Sequence, residues 1–374
     1  MRKALAGVGR FEDAKYDPER FTLACDGETL YLANAFDEYS QASFFGKGAV
    51  IRKWVSAFSS SRESPIPDTF DEARGNLLPY VRDSAYFDYI RLMSRAEPRG
   101  QMLDLPCVAL GAGFRVALAY DTPQSIATVN AGTLDKWGVT LEEALKSAQF
   151  NLRARTPDGL KPVATGVFAS PYRDNHDAHR IVLTELISRL EVRGDPVAFV
   201  PHRDSLIVTG SQDDNGLLRA CALAEPLVQE NRRISGTAAV FRNGRWEAFM
   251  APPGSQAHEP MRRLHMLSVG SDYSQQQELL QKIEGETTFV AAYKVGEKDG
   301  RWTSYAVWSE GITISLPQAD KIFFHSERFA KDDPCRGPWD WAKIEATAGS
   351  LMEKQDLEPP RVLVRSFPPD EVLR

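Results

Sequence analysis

Three dipeptides of Asn or Asp followed by Gly constrain the fold of this 374-residue chain more than any other feature. They are Asp26-Gly27, Asn243-Gly244 and Asp299-Gly300, and each stands between two short runs rich in apolar and aromatic residues. Asn-Gly and Asp-Gly tolerate the positive φ angles of a type I′ turn, whose twist suits antiparallel strands. The sequence therefore predicts three tight hairpins, which join 21–25 to 28–32, 237–241 to 245–249, and 288–293 to 302–308.

Helical patterns separate these strand pairs. Thr140 and Glu143 have the spacing of a capping box in front of a predicted helix over 141–153. Asp177 is placed to cap a second helix and Asp213 a third. The chain therefore alternates strand pairs with helices.

The order of a strand pair followed by a helix occurs four times, at 21–58, 115–153, 197–229 and 237–285. The residues themselves do not repeat; only the pattern does. This order predicts an α+β fold built from repeated antiparallel strand pairs and helices, with the helices covering mixed or antiparallel sheets. A doubly wound parallel sheet is disfavoured, because the three turns specify antiparallel neighbours.

Two polar stretches rich in helix and strand breakers, at 94–101 and 251–256, are candidate boundaries. They divide the chain into an N-terminal α+β region, a central α+β domain, and a C-terminal α+β domain with a strand pair and a tryptophan-containing segment. The predicted ranges are 1–100, 101–253 and 254–374. The same stretches are also compatible with long loops within one larger body.

Composition narrows the classes of function. The net charge is −6 and no block is rich in Lys and Arg, so a protein dedicated to duplex nucleic acid is not expected. The four cysteines are far apart and lack metal-ligand spacing, as is usual for buried thiols in a reducing compartment. The N-terminus lacks the apolar core of a signal peptide, and no window is apolar enough to span a bilayer. We therefore expect a cytoplasmic protein without a membrane contact or a cofactor.

Four segments carry a family resemblance: VALAYD at 116–121, LDKWGVTLEEA at 134–144, AQFNL at 148–152 and VPHRDSL at 200–206. Together they resemble the YtpQ-like family of uncharacterised bacterial proteins. His202 stands in the Pro-x-Arg-Asp turn of that pattern, where a small polar residue is expected. The resemblance implies a bacterial cytoplasmic protein of α+β fold. It supplies no catalytic residues, because the family has no established activity.

The most conspicuous polar motif is His202-Arg203-Asp204, which follows Pro201 between two predicted strands. It lacks the context of a protein-kinase catalytic loop, because Asp204 leads directly into a strand. A structural turn is the favoured interpretation, with Asp204 accepting amide hydrogen bonds or pairing with Arg203. The alternative is a functional loop on a rigid strand pair, in which Arg203 and Asp204 are the catalytic candidates and His202 contributes to binding.

A second group of polar residues, Asp174, His176, Asp177 and His179, lies before a predicted helix. Helix capping and a solvated surface are favoured over a metal site, because Asp is common at caps and no distant ligand segment is evident. No metal is therefore predicted. Trp339 and Trp341 lie in a Pro- and Gly-rich stretch, where core packing is favoured over a role as aromatic anchors for a partner.

These observations favour binding over catalysis. We expect a non-catalytic accessory or regulatory protein with a protein partner, and this hypothesis predicts an exposed apolar patch around Trp339 and Trp341. The alternative is an enzyme of uncharacterised type with a polar site around the Pro201–Asp204 turn, assisted by Asn151 or Glu247. That hypothesis predicts a deep pocket with perturbed carboxylate pKa values at the turn.

Overall fold

A computed structural model describes residues 2–7, 14–18, 21–25, 28–59, 66–96, 104–122, 126–330, 333–369 and 371–372. Within these residues the protein has the predicted α+β fold, with eleven α-helices and sheets that are antiparallel or mixed. The helices are α1 (Arg2–Ala6), α2 (Ala33–Gln41), α3 (Lys47–Ser59), α4 (Phe70–Ala73), α5 (Ser84–Ala96), α6 (Ala131–Trp137), α7 (Leu141–Ala154), α8 (Thr184–Ile187), α9 (Asp214–Ala224), α10 (His258–Glu284) and α11 (Trp341–Ala348).

The strands vary from two to ten residues. They are β1 (Lys15–Asp17), β2 (Thr22–Cys25), β3 (Glu28–Tyr31), β4 (Leu77–Asp83), β5 (Val108–Gly111), β6 (Phe114–Asp121), β7 (Ile126–Thr128), β8 (Lys161–Ala164), β9 (Val167–Ala169), β10 (Pro196–Phe199), β11 (Ile207–Gly210), β12 (Ala238–Arg242), β13 (Arg245–Phe249), β14 (Phe289–Val290), β15 (Lys294–Lys298), β16 (Arg301–Ser309), β17 (Ile314–Pro317), β18 (Lys321–Ala330), β19 (Asp333–Asp340), β20 (Glu353–Lys354) and β21 (Arg361–Val364).

The chain divides into two compact units. One comprises Met1–Leu78 and Leu118–Asn151, and the other comprises Pro79–Ala117 and Leu152–Arg374. These units do not coincide with the three regions 1–100, 101–253 and 254–374, whose status as separate domains stays a prediction.

In the smaller unit, β1, β2 and β3 form an antiparallel sheet. The first predicted hairpin has its strands in place, with Cys25 opposite Glu28, while its turn residues Asp26 and Gly27 lie outside the described residues. The predicted capping box of α7 is confirmed. The Thr140 hydroxyl accepts from the Glu143 amide at 3.2 Å, and the Glu143 carboxylate accepts from the Thr140 amide at 2.9 Å.

The main sheet has ten strands in the order β4-β6-β5-β13-β12-β10-β11-β9-β8, with β7 paired to β6. From β6 to β8 its neighbours are antiparallel except at the β13–β5 contact, where Trp246 lies opposite Gly111. The predicted turn between β12 and β13 is confirmed, with φ of 50° at Asn243 and 79° at Gly244. Apolar residues of β9 to β12 pack against α9 and α10 to form one hydrophobic core.

The C-terminal part of the larger unit contains two four-stranded sheets, ordered β14-β17-β21-β20 and β15-β16-β18-β19. Their apolar residues share a second core with α11. The predicted turn at Asp299-Gly300 is confirmed by φ angles of 53° and 73°. The pairing predicted for 288–293 across this turn is wrong. Phe289–Val290 form β14, which pairs with β17, and the strand opposite β16 is β15, because a two-residue turn pairs the residues that flank it.

Strand pairs followed by helices are present at all four predicted places. The antiparallel pairs are β2–β3, β6–β7, β10–β11 and β12–β13, and the helices that follow them are α2, α6, α9 and α10. The long helix predicted after Asp177 is wrong. The segment forms a short 3₁₀ helix, Ala178–Val182, followed by the four-residue α8. The Asp177 carboxylate accepts instead from the Ser170 hydroxyl and the Arg173 amide, so it does not cap a longer helix.

Helix α10 contains 27 residues and spans about 40 Å. Met261 and Leu264, in its first half, belong to the core with β9 to β12. Leu279 and Leu280, near its end, pack with Leu92 of α5. In the described ranges, no helix has both the length and the apolar composition required to cross a bilayer.

The β5–β6 turn provides a matched test of backbone packing. A methyl group at Gly111, where φ is 109°, would lie 2.3 Å from the carbonyl oxygen of Trp246. At Gly113, where φ is 80°, it would meet no atom within 4 Å. We expect Gly111→Ala to lower the free energy of unfolding by roughly 3 kcal/mol through strain and overlap, and Gly113→Ala by about 1 kcal/mol through strain alone. Urea unfolding measures both, and equal losses would contradict this account.

Candidate functional site

The larger unit contains a cavity of about 540 Å³ beside the middle of α10. Six residues of α10 line it at intervals of three or four, which places them on one face of the helix. These residues are Arg262, His265, Met266, Val269, Asp272 and Tyr273. The remaining lining comes from the end of β4, the β5–β6 turn, the loop before β12, and the C-terminal sheets.

Two aspartates form the first polar group of the pocket. Asp83 ends β4, and its carboxylate accepts a hydrogen bond from the Tyr86 amide at 2.9 Å. Burial, reinforced by the charge of Asp272, raises the pKa of Asp83 to about 7. Burial also raises the pKa of Asp272, although its ion pair with Arg233, at 2.6 Å, opposes the rise. The pair therefore includes a carboxyl group that changes its charge near neutral pH.

A second polar group is centred on Asp320. Its carboxylate accepts from the Arg262 guanidinium at 3.0 Å and from the amide and hydroxyl of Ser304 at 2.9 and 3.0 Å. The Ser304 hydroxyl also accepts from the Asp320 amide at 2.9 Å. This reciprocal bonding fixes the carboxylate at the pocket wall, where it is charge-paired.

His265 and Tyr273 add groups that stay neutral near pH 7. The Nδ1 atom of His265 is 2.8 Å from the Thr237 hydroxyl, and burial lowers the pKa of His265 below its usual value. The Tyr273 hydroxyl donates to the Pro360 carbonyl at 2.7 Å, and its ring stacks on Tyr293 with centroids 4.6 Å apart. Burial raises the pKa of Tyr273, so the phenol remains protonated.

The described lining has an excess of acidic groups. It includes four carboxyl groups, those of Asp83, Asp272, Asp320 and Glu358, against the single guanidinium of Arg262. Burial raises the pKa of Glu358 as well. Met250, Met266 and Val269 supply apolar surface beside these groups, and Met250 is 38% exposed. Such a pocket suits a ligand group with a positive charge and an aliphatic stem.

The predicted turn residues lie elsewhere in the larger unit. His202 is 8% exposed; its Nε2 atom is 2.8 Å from the Asn231 carbonyl, and its Nδ1 accepts from the Asp204 amide. Arg203 donates to the Asn175 side chain at 2.6 Å and lies 3.6 Å from the Asp204 carboxylate. These three residues do not line the pocket near α10.

The other candidates have structural contacts. Asn151 donates to the carbonyls of Arg74 and Leu77, and Glu247 pairs with Arg245 on β13. Trp341 is only 7% exposed and lies in the C-terminal core, against which the partly buried Trp339 packs. Trp341 therefore contributes little exposed apolar surface, and the binding role of the two tryptophans stays a prediction.

Sequence reasoning missed the pocket, although α10 carried a signal. Arg262, His265 and Asp272 recur at helical spacing among Met266, Val269 and Tyr273, so one face mixes ionisable and apolar residues. Within the described ranges, no group of three or more His, Cys, Asp or Glu residues could hold a metal ion.

The raised pKa of Asp83 makes stability depend on pH. The unfolded carboxyl loses its proton near pH 4 and the folded one near pH 7, so the folded state binds more protons between these values. The contribution of Asp83 to the free energy of unfolding therefore falls as pH rises from about 4 to 7. We expect Asp83→Asn to remove this fall. The difference in free energy of unfolding between the variant and the parent should therefore shift in favour of the variant by on the order of 2 kcal/mol between pH 5 and pH 8.

Urea unfolding at a series of pH values measures this difference. The matched control is Asp158→Asn, which alters an exposed aspartate of the same unit. Since this variant retains Asp83, it should keep the fall in stability that Asp83→Asn removes. A difference between Asp83→Asn and the parent that is constant from pH 5 to pH 8 would contradict the assignment.

Comparison with known proteins shows one distant similarity. The chain is 24% identical over 141 residues to a UPF0354 protein of Bacillus cytotoxicus, a segment that covers 36% of this chain and 52% of that protein. The match thus spans about half the length of its relative. No family model matches the chain, and no solved structure matches it. The chain is therefore similar, over about a third of its length, to a protein of an uncharacterised bacterial family.

Proposed function

We propose that the protein is a non-catalytic accessory or regulatory protein of the bacterial cytoplasm, whose pocket beside α10 receives a positively charged group of a protein partner. The observation that carries this proposal is the acidic excess in the pocket, with Asp83 next to Asp272. An ammonium or guanidinium group entering there would favour the ionised form of Asp83 and relieve the repulsion between the two carboxylates.

The composition of the pocket agrees with a side chain as the ligand, and its volume leaves room for further groups of the partner. A volume of about 540 Å³ is in the range of small-molecule sites and exceeds what one lysine or arginine side chain fills. Met250 and Met266 can contact the aliphatic stem of such a side chain while Asp83 pairs with its charge. Membership of the YtpQ-like family is part of the same proposal, and the similarity to an uncharacterised bacterial protein supports it.

Blocked amino acids provide a direct test. We expect Nα-acetyl-lysine methylamide or Nα-acetyl-arginine methylamide to bind at pH 8, measured by calorimetry, and the corresponding glutamate derivative not to bind. Since binding requires ionised Asp83, affinity should fall about tenfold from pH 8 to pH 6. Asp83→Asn should weaken binding by about tenfold or more, whereas the exposed control Asp158→Asn should not.

Equal binding of the glutamate and lysine derivatives, or binding that is unaffected by Asp83→Asn, would refute an acidic binding pocket. Co-purification of the tagged protein from its native host then tests the partner. A protein recovered with the parent and with Asp158→Asn, but lost with Asp83→Asn, supports the proposal. Recovery with all three variants argues against the pocket as the contact.

An enzyme of uncharacterised type is the second candidate. The observation that favours it is the pKa of Asp83, since a general acid–base works best with a pKa near the working pH. Its site would be the pocket rather than the Pro201–Asp204 turn, which does not line it. Mass spectrometry of bound probes separates the two candidates: intact probes support binding, and conversion that Asp83→Asn abolishes supports catalysis.

A further inference from the structure

The Pro201–Asp204 turn lies between two loops with strained backbone. The Arg203 amide donates to the Arg232 carbonyl at 3.2 Å, and the Arg203 side chain donates to Asn175. Arg173, Asn175 and Arg232 all have positive φ angles, of 50°, 67° and 68°. Positive φ is uncommon for residues other than glycine, and such strain clusters at binding and catalytic sites.

Behind this turn lies a buried guanidinium group with two nitrogen donors that lack acceptors in the described ranges. Arg82 of β4 is 7% exposed, and its guanidinium carbon lies 4.7 Å from the ring centroid of Tyr80 and 5.2 Å from that of Tyr86. Its Nε and Nη1 atoms are buried and have no hydrogen-bond partner among the described residues. A buried charge without a counter-charge or acceptors is costly for the folded state.

Two further donors lie near Arg82. His179 is fully buried, and its Nδ1 accepts from the Val81 amide at 3.1 Å. Its Nε2 must therefore carry the proton, and this N–H has no acceptor in the described part of the chain. The Nε atom of Arg203 is also buried and lacks a hydrogen bond to any described residue.

The surrounding charge is predominantly positive. After burial, the largest causes that lower the pKa of His179 are the charges of His176, Arg82, Arg203 and Arg180. Arg82 also lowers the pKa of Arg203, together with burial and Arg232, while Asp204 opposes the shift. The geometry agrees: the Tyr80 ring contacts both Arg82 and His179, with its centroid 5.5 Å from that of His179. The Arg203 carbonyl accepts from the amide of Ala178, the residue before His179, at 3.0 Å. The Asp174 carboxylate pairs with Arg180, and the Asp204 carboxylate lies 3.6 Å from Arg203, so part of this charge is balanced within the fold.

Arg180 is a buried arginine with a structural role, and its hydrogen bonds can be compared with those of Arg82. It is fully buried, as Arg82 nearly is. Its guanidinium donates to Asp174 at 2.9 and 2.7 Å and to the Thr156 hydroxyl at 3.1 Å. Arg82 has an aromatic environment in place of such acceptors. Arg82 therefore keeps two buried donors that the acceptor atoms of a ligand could satisfy.

We propose that Arg82, Arg203 and His179 line a binding site for a small oxyanion, a phosphate, sulfate or carboxylate group. The unpartnered Nε and Nη1 atoms of Arg82, Nε2 atom of His179 and Nε atom of Arg203 are donors, which the acceptor atoms of an oxyanion can satisfy. The Oδ1 atom of Asp204, 3.6 Å from the Nε atom of Arg203, is an acceptor at the same place that has no hydrogen bond to the described residues. Guanidinium groups bind such anions through charge-assisted hydrogen bonds. Asp204 limits the net positive charge of the site, so one anionic group suffices to balance it.

This site does not share its lining with the acidic pocket, although burial raises the pKa of Asp83 and the charge of Arg82 opposes that rise. Arg82 and Asp83 are neighbours in β4, so their side chains point to opposite faces of the strand. Arg82, Arg203 and His179 do not line the pocket near α10. The anion site can therefore be present whether or not the pocket binds a cationic group.

Thermal unfolding with inorganic phosphate, sulfate or acetate, each matched in ionic strength with chloride, tests the proposal. We expect at least one of these oxyanions to raise the melting temperature of the parent in a saturable way. Comparison of phosphate and sulfate with acetate distinguishes a site for tetrahedral anions from one for planar anions. Arg82→Gln and Arg203→Gln should each lower the affinity for this anion by about tenfold or more. The control Arg245→Gln, which alters an exposed arginine of the same unit, should leave the response unchanged.

Two results would overturn the anion site. One is a response of the parent to all three oxyanions that equals its response to chloride. The other is a saturable response that Arg245→Gln reduces as much as Arg203→Gln does. If Arg82→Gln does not fold, Arg203→Gln and the anion titrations of the parent decide the matter. A ³¹P NMR shift of phosphate on the parent, lost in Arg203→Gln, supports the site independently of stability.

Discussion

The larger unit depends on the burial of α10. Its first half packs through Met261 and Leu264 into the core with β9 to β12, and its end packs against α5. A helix held on several sides in this way has little freedom to shift, because close-packed interiors resist small displacements. The polar residues on its middle face are therefore presented from a rigid support. This rigidity explains how Asp83 and Asp272, from distant parts of the chain, stay close enough to interact.

The fold also contains buried charged side chains, which differ in how completely they are hydrogen-bonded. Arg361 is 1% exposed and donates to the Gln276 side chain at 2.5 Å and to the carbonyls of Ala291 and Ser315 at 2.9 Å each. These bonds join α10 to the C-terminal sheets, although burial still lowers the pKa of Arg361 to about 10. The Nη2 atom of Arg361 is nevertheless buried without a hydrogen bond to any described residue. Arg82 leaves two buried nitrogen atoms without partners in the described part of the chain, and Asp83 accepts a hydrogen bond from the Tyr86 amide. Incompletely paired buried charges therefore occur at the candidate sites and also at the structural position of Arg361.

Much of the fold was predictable because its signals are local. The turn at Asn243-Gly244 depends on two residues with positive φ, and the cap of α7 depends on Thr140 and Glu143, three residues apart. The prediction was wrong where other residues form the contacts that a local signal had suggested. Asp177 looked like a helix cap, but Ser170 and Arg173 occupy its carboxylate. The pairing predicted for 288–293 was wrong because a two-residue turn at Asp299-Gly300 pairs the residues next to it, which form β15, while β14 at 289–290 pairs with β17.

The sequence by itself determined the α+β class, two complete hairpin turns and the repeated order of strand pair and helix, since these depend on backbone preferences within a few residues. It also singled out the Pro201–Asp204 turn without revealing its neighbours. Only the tertiary structure placed Arg82 and His179 near that turn, and Asp83, Asp272 and Asp320 around one cavity. The physical reason is that pKa shifts and unpaired donors arise from burial and from charges far apart in the chain, neither of which a linear pattern records.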